Sequence, residues 1–192
     1  MSNAFVLFRE FLRAPTAVAT VTASSEALVA EMLCRFPTTT EPVVVELGAG
    51  SGRLTDAVQR RLRGRGRHVA IELNPLLAER LAERHRGVDV VCADAGTLHE
   101  VLDARGIGPV DAVVSLLPWA AYRSAPIPRL VADVLAPDGT FTQVALSMFR
   151  WLPEARRHHA DVLGAFDDVQ MGPVVWGNLP PARVRFACTP KT

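Results

Sequence analysis

Between residues 43 and 146 short runs of β-branched and aliphatic residues alternate with helical stretches, and no other feature of the chain restricts its fold so tightly. Val43 to Val45 leads through a glycine turn at Gly48 into a helix that runs through about Leu62. His68 to Ile71, Val88 to Val91, Val110 to Val114 and Thr140 to Leu146 are the strands that follow. Asn74 as cap and Pro75 at the first helical position open a helix after the second strand, and helices fit Leu98 to Ala104 and Leu130 to Leu135. Strands written as continuous apolar runs predict a parallel sheet covered by helices on both faces. The tail reads differently. Val169 to Trp176, a turn over Asn178 to Pro181, and Arg183 to Cys188 form an antiparallel hairpin that closes the sheet. Ahead of the sheet, a helix is expected over residues 4–13 and a second from Ser24 or Ser25 to about Phe36.

With 192 residues the chain is one domain, long enough to bury a core without disulfide or metal staples. It divides into a helical cap over 1–37, a core over 43–146, and a C-terminal helix and hairpin over 147–192. Lys and Arg number 21 against 20 Asp and Glu, a net charge of +1, so the basic excess of a nucleic-acid binder is missing. Cys34, Cys92 and Cys188 are an odd number at distant positions, which predicts small buried thiols in a reducing compartment and no zinc site. No apolar run approaches the roughly 18 residues of a membrane span, and the run from Phe5 to Phe8 meets Arg9 and Glu10 too soon for a signal peptide. A cytoplasmic protein, peripheral on a membrane at most, is expected.

In an open parallel sheet ligands bind outside the carboxyl ends of the strands, so the residues just after each strand carry the function. The first strand is followed by Glu46, then Gly48, Gly50 and Gly52. The spacing is GxGxG, and Arg53 stands where a nicotinamide fingerprint has its third glycine. Glu72 follows the second strand, 20 residues past Gly52, where a carboxylate accepts from both hydroxyls of a ribose. Asp94, with Ala95 after it, follows the third and is placed to accept from an amino group on a base. Acids at three successive strand ends describe a ligand with an amine, a ribose and an adenine. A pyrophosphate beside Glu46 would be repelled; an ammonium and a sulfonium would not. The ligand that fits is S-adenosylmethionine, with no metal.

Through VVVELGAGSGRLT, AIELNP and VCADA the chain resembles the class I methyltransferases. That resemblance implies a Rossmann-like α/β fold with a seven-stranded, mostly parallel sheet, an antiparallel C-terminal hairpin and two extra N-terminal helices. It also implies that Ala49, Leu73 and Ser115 join Glu46, Gly48, Gly50, Gly52, Glu72, Asp94 and Ala95 around the cofactor. A narrower resemblance, through FLRAPTAVATVTASSEALVAEML, DAVVSLLPW, DGTFTQ and VVWGNLPPARVRF, is to the bacterial phospholipid N-methyltransferases that methylate phosphatidylethanolamine. It implies a substrate pocket built by Ser24, Ser25, Leu116, Pro118, Trp119 and Trp176. The related ribosomal RNA adenine dimethyltransferases carry Asn-Leu-Pro-Tyr after the fourth strand; this chain carries Leu116-Leu117-Pro118-Trp119, which removes the amide their chemistry needs.

Other features weigh on the substrate. The helix over 4–13 gathers Phe5, Leu7, Phe8, Phe11 and Leu12 on one face, with Arg9 and Arg13 opposite. It is read either as a membrane-surface helix, with Phe5, Phe8, Arg9, Phe11, Leu12 and Arg13 facing lipid, or as a helix packed on the sheet. RRLRGRGR over 60–67 falls at the amino edge of the sheet and reads as a solvated helix end. His158 and His159 are expected as a surface pair, since neighbours on a helix point apart. Tyr122, the only tyrosine, is the candidate to orient or deprotonate an amine, with Trp119 and Trp176 as apolar walls. Methylation of a soluble amine or hydroxyl, RNA methylation, and non-catalytic cofactor binding are the alternatives to a phospholipid amine.

Overall fold

The first strand, β1 (Val43–Leu47), is buried from Val44 onward and lies inside the sheet with a strand on either side, as its unbroken valines require. The computed structural model describes residues 24–117, 121–146, 153–178 and 180–191. Around β1 run β2 (Arg67–Glu72), β3 (Asp89–Cys92), β4 (Val110–Ser115) and β5 (Leu135–Leu146), all parallel, while β7 (Ala182–Pro190) is antiparallel to both β5 and β6 (Phe166–Met171). The order across the sheet is β3-β2-β1-β4-β5-β7-β6. The chain thus winds outward from β1 to β3 and then restarts on the other side at β4. That reversal leaves a crevice between the carboxyl ends of β1 and β4.

Helices cover both faces. On one, α1 (Glu26–Met32) and α2 (Arg53–Leu62) bury Leu28, Met32, Leu54 and Val58 against Val44, Val114, Val184 and Phe186. On the other, α4 (Leu98–Asp103), α6 (Ile127–Val134) and α7 (Pro153–Ala165) pack on Val45, Leu47, Val113 and Phe141. Between them in sequence lie α3 (Pro75–Arg84), whose Leu81 packs with Ala70 and Val88, and the single turn α5 (Ala121–Ser124). The caps are those the sequence predicts. Ser25 Oγ accepts from the Leu28 amide, and Asn74 Oδ1 accepts from the Leu76 and Leu77 amides ahead of Pro75.

Several expectations are corrected. Strand β6 starts at Phe166 and ends at Met171, so Trp176 lies in the connection and not in the strand. Gly172 and Pro173 end it, because proline brings no N–H to a ladder. Helix α1 ends at Met32 rather than near Phe36, unwinding into turns from Leu33. Cys34 and Cys92 are exposed and Cys188 is half-buried, so the thiols are not core residues. The expected helix over 4–13 lies outside the described residues. No helix among the described residues is long and apolar enough to cross a membrane.

Candidate active site

The turn after β1 is built on glycines with different tasks. Gly48 has φ +76°, and a Cβ there would stand 2.9 Å from Leu117 Cδ2, so this glycine serves the protein's own packing. Gly50 also has a positive φ, +53°, but a Cβ on it would meet only the Gly48 carbonyl, at 3.9 Å. The space over Gly50 is open, which lets a ligand approach the backbone. Ala49 is buried beneath, and Gly52 begins α2 at its N-cap.

Glu72, at the end of β2, is 6% exposed and reaches across to the turn. Its Oε2 accepts from the Gly50 amide at 2.8 Å and its Oε1 from the Asn74 amide at 2.9 Å. Each oxygen keeps a second lone pair for a ligand hydroxyl. The next residue, Leu73, is exposed. Asp94, also exposed, caps the short 3₁₀ turn Ala95–Thr97 with one oxygen on the Gly96 amide at 2.7 Å; Ala95 is buried behind it.

Glu46 is sealed beneath the turn on the α2 face. Its Oε2 accepts from Thr55 Oγ1 at 2.7 Å, and Oε1 is buried without a partner. His68 Nε2 lies 3.2 Å from Oε2 but off hydrogen-bond geometry, while Gln59 Nε2 meets His68 Nδ1 at 3.1 Å. With the Gln59 amide donating to Nδ1, the ring proton sits on Nε2, on the side of Glu46.

A second polar cluster lies on the other side of the crevice, on the face covered by α7. The register sets Leu47, Ser115, Gln143 and Arg185 side by side across β1, β4, β5 and β7. Ser115 Oγ and the Tyr122 hydroxyl are 2.7 Å apart, and the Leu117 amide donates to the same Oγ at 3.3 Å. The Tyr122 ring lies against His158, centroids 3.9 Å apart, and His158 Nε2 is hydrogen-bonded to Gln143 Oε1. Burial pushes the Tyr122 phenol up to about 12, although the Ser115 hydrogen bond and the charge of Arg185 both pull it down. Burial, helped by Arg185 and His159, holds His158 down to about 3. Both groups are therefore neutral near pH 7.

No motif in the sequence announces this cluster. Against the expectation of a surface pair, His158 is buried and only His159 is exposed. The signal was present in α7, where Val162 and Ala165 mark the inward stripe and stepping back four from Val162 lands on His158. Arg185 stands between the buried Val184 and Phe186, so strand alternation turns it to the opposite, equally covered face. Of the expected pocket residues, Leu116 is half-buried against the α1–α2 face, Ser24 gives its carbonyl to Arg53 Nη1 at 2.7 Å, and Ser25 is occupied as a cap. Trp176 is exposed, in the connection that leads into β7. Pro118 and Trp119, like Phe5, Phe8, Arg9, Phe11, Leu12 and Arg13, lie outside the described residues. No group of three or more metal-ligating side chains occurs among the described residues.

No protein-family model matches the chain. Ornithine lipid N-methyltransferase of Singulisphaera acidiphila is 34% identical to it over 193 residues, spanning 97% of this chain and 96% of that protein. Among solved structures, precorrin-6y C5,15-methyltransferase of Geobacter metallireducens superposes with a TM-score of 0.62 at 20% identity, over 86% of this chain and 92% of that one. Aeropyrum pernix fibrillarin, solved with natively bound S-adenosyl-L-methionine, gives 0.63 at 17% identity, over 88% and 75%. The two structures establish the fold, and the end-to-end relative establishes the lineage. The chain belongs to the class I S-adenosylmethionine-dependent methyltransferases, in one family with the ornithine lipid N-methyltransferase of Singulisphaera acidiphila.

Proposed function

We propose that this methyltransferase acts on the amine of a membrane lipid, with phosphatidylethanolamine and an ornithine lipid as the two headgroups to test. The observation that carries the reading is the 34% identity, over 97% of the chain, to an enzyme named for lipid N-methylation. The distribution of exposed apolar groups supports it. Trp176, Leu73 and Leu76, at 78%, 67% and 64% exposure, are the most exposed large hydrophobic side chains among the described residues. Leu73 and Leu76 follow the carboxyl end of β2, and Trp176 lies in the connection that meets Ala182, opposite the end of β5. All three thus belong to the edge an acceptor must approach, and a tryptophan suits a boundary between water and lipid. A docking role for Phe5, Phe8, Arg9, Phe11, Leu12 and Arg13 is part of the same proposal.

When bound, S-adenosylmethionine supplies a methyl group that joins the amine nitrogen as sulfur leaves as a neutral thioether and an amine proton passes to solvent. The residues of the chain bind and orient. Glu72 takes the ribose hydroxyls on the lone pairs that Gly50 and Asn74 leave free, and Gly48, Ala49, Gly50 and Gly52 form the close backbone floor. Leu73 covers one face of the adenine, Asp94 with Ala95 receives its amino group, and Ser115 lines the crevice. Glu46, sealed beneath the turn, contributes its negative charge below the ammonium. A phenol held near 12 is no base at neutral pH, so Tyr122 orients the amine by hydrogen bonding. Ser24, Ser25, Leu116, Pro118, Trp119 and Trp176 are proposed to border the acceptor.

The test incubates the protein and labelled S-adenosylmethionine with phosphatidylethanolamine liposomes, ornithine-lipid liposomes and a soluble metabolite extract. Label is expected in one or both lipids; label confined to the soluble extract overturns the reading. Replacing Trp176 by Ala should weaken liposome binding about ten- to a hundredfold, from the ~1.5–3 kcal/mol of burying one large apolar side chain.

A further inference from the structure

Six buried side-chain polar atoms among the described residues lack a hydrogen-bond partner, and four of them belong to one cluster: Gln143 Nε2, His158 Nδ1, and Nε and Nη1 of Arg185. Arg185 is 8% exposed, and no carboxylate among the described residues lies within ion-pair reach of it. A guanidinium taken out of water with no counter-charge is costly, and proteins keep such groups where a ligand completes them. Burial pulls Arg185 below the usual arginine range, with Tyr122 offsetting part of the effect, yet arginine keeps its proton in proteins. Its neighbours Tyr122 and His158 are neutral, so the cluster carries an uncompensated positive charge. Three of the four orphaned atoms are donors; His158 Nδ1 is the one acceptor. Gln143 stands directly opposite both Ser115 and Arg185, which sets the charge beside the β4 end of the crevice.

We propose that Arg185 and Gln143 form a subsite for the anionic group of the methyl acceptor, a carboxylate or phosphate a few bonds from the amine. The proposal deepens the lipid reading and rests on it. A phosphatidylethanolamine headgroup brings a phosphate and an ornithine headgroup a carboxylate; a guanidinium fork takes either one. By holding the anion two to three strands away from β1, the subsite fixes the distance of the amine from the methyl donor. It selects zwitterionic headgroups over simple amines.

The experiment compares the parent with Arg185→Gln and Arg185→Lys on three acceptors in mixed micelles: phosphatidylethanolamine, an ornithine lipid, and a long-chain alkylamine with no anion. Arg67→Gln, at the opposite edge of the sheet, removes a like charge as a control and should keep the parent rate. For Arg185→Gln the preference for the anionic lipid over the alkylamine should fall about 10- to 100-fold, mainly through KM, the loss expected when a charged hydrogen bond goes. Arg185→Lys should recover part of it. Cofactor affinity matching the parent shows that the variants are folded. Whichever lipid the parent prefers tells phosphate from carboxylate. An equal fall on all three acceptors, or no fall, overturns the subsite. A second arm measures the melting temperature in inorganic phosphate and in acetate, against chloride at matched ionic strength. Either anion should raise it in the parent and not in Arg185→Gln, and equal shifts in both overturn the subsite. If the parent methylates no lipid, the acceptor reading fails, and the anion shift alone decides the subsite.

Discussion

The two sides of the crevice are built by opposite means. On the side of β1, β2 and β3, the candidate groups lie at or just past the ends of their strands, and most of them hold the local backbone. Glu72 bonds Gly50 and Asn74, and Asp94 caps its own 3₁₀ turn. On the side of β4, β5 and β7, Ser115, Tyr122, Gln143, His158 and Arg185 come from separate elements, and several of their polar atoms are sealed without partners. On the first side only Glu46 Oε1 and His68 Nε2 are buried without a partner among the described residues, and the turn itself is tied before any ligand arrives. The second is left incomplete, which is where a protein can discriminate among acceptors, because an unpaired buried group favours the ligand that pairs it.

Substitutions can break this contrast. The largest effect is expected from Glu72→Ala, which removes charged hydrogen bonds worth about 1.5–3 kcal/mol each. Calorimetry should show cofactor affinity down at least a hundredfold, and an unchanged affinity removes Glu72 from the ribose. Next come the glycines. Gly48→Ala drives a Cβ to 2.9 Å from Leu117 at a positive φ, and ~1–3 kcal/mol of stability should be lost in denaturant unfolding. Gly50→Ala carries only the left-handed backbone penalty of about 1–2 kcal/mol, yet should cost most of the cofactor affinity because its methyl fills the open space. Equal losses of stability and binding at both positions would erase the distinction between them.

Smaller effects belong to the incomplete side. Tyr122→Phe should lower kcat about tenfold while cofactor affinity stays put, and a matched loss of affinity would move Tyr122 to the cofactor side. The same side carries a pH effect, small near neutrality and growing with acid. The folded-state pKa of His158, about 3, lies below the 6.5 of an ordinary histidine, so below pH 6.5 the unfolded chain takes up a proton that the folded one refuses. Stability should therefore fall by up to about 1.4 kcal/mol per pH unit as pH drops from 6.5 toward 3. His158→Gln should flatten that slope by one proton, and urea midpoints across the range measure it. Tyr122, with its phenol raised to about 12, should leave the rate profile without a limb between pH 6 and 9.

The same contrast explains what could be read from the sequence. The alternating runs gave away the parallel sheet, and the glycine spacing with Glu46, Glu72 and Asp94 marked the carboxyl edge proposed for the cofactor, because each acid sits at or within a few residues of the strand that positions it. Asn74 and Pro75 announced a helix start for the same local reason. Gln143, His158 and Arg185 form no motif. Their proximity depends on β7 inserting between β5 and β6, which tertiary packing decides. His158 was misjudged because a polar pair on a polar helix looks solvated until the short stripe through Val162 and Ala165 is counted back.

The Ser25 amide donates to Asn178 Oδ1 at 3.0 Å, across 153 positions of sequence, and Asn178 Nδ2 donates to the Pro180 carbonyl at 2.8 Å. The bond from Gly50 to Glu72 spans only 22 positions. A chain emerging from the ribosome can therefore close its glycine turn early, while the connection leading into β7 cannot be tied down, nor Arg185 delivered beside Gln143, until almost everything else has been made. Loop closure of that length is slow. If Arg185 selects the acceptor as proposed, that selectivity is the last competence to arise during folding, and a chain that stalls before β7 is in place should bind the methyl donor without it.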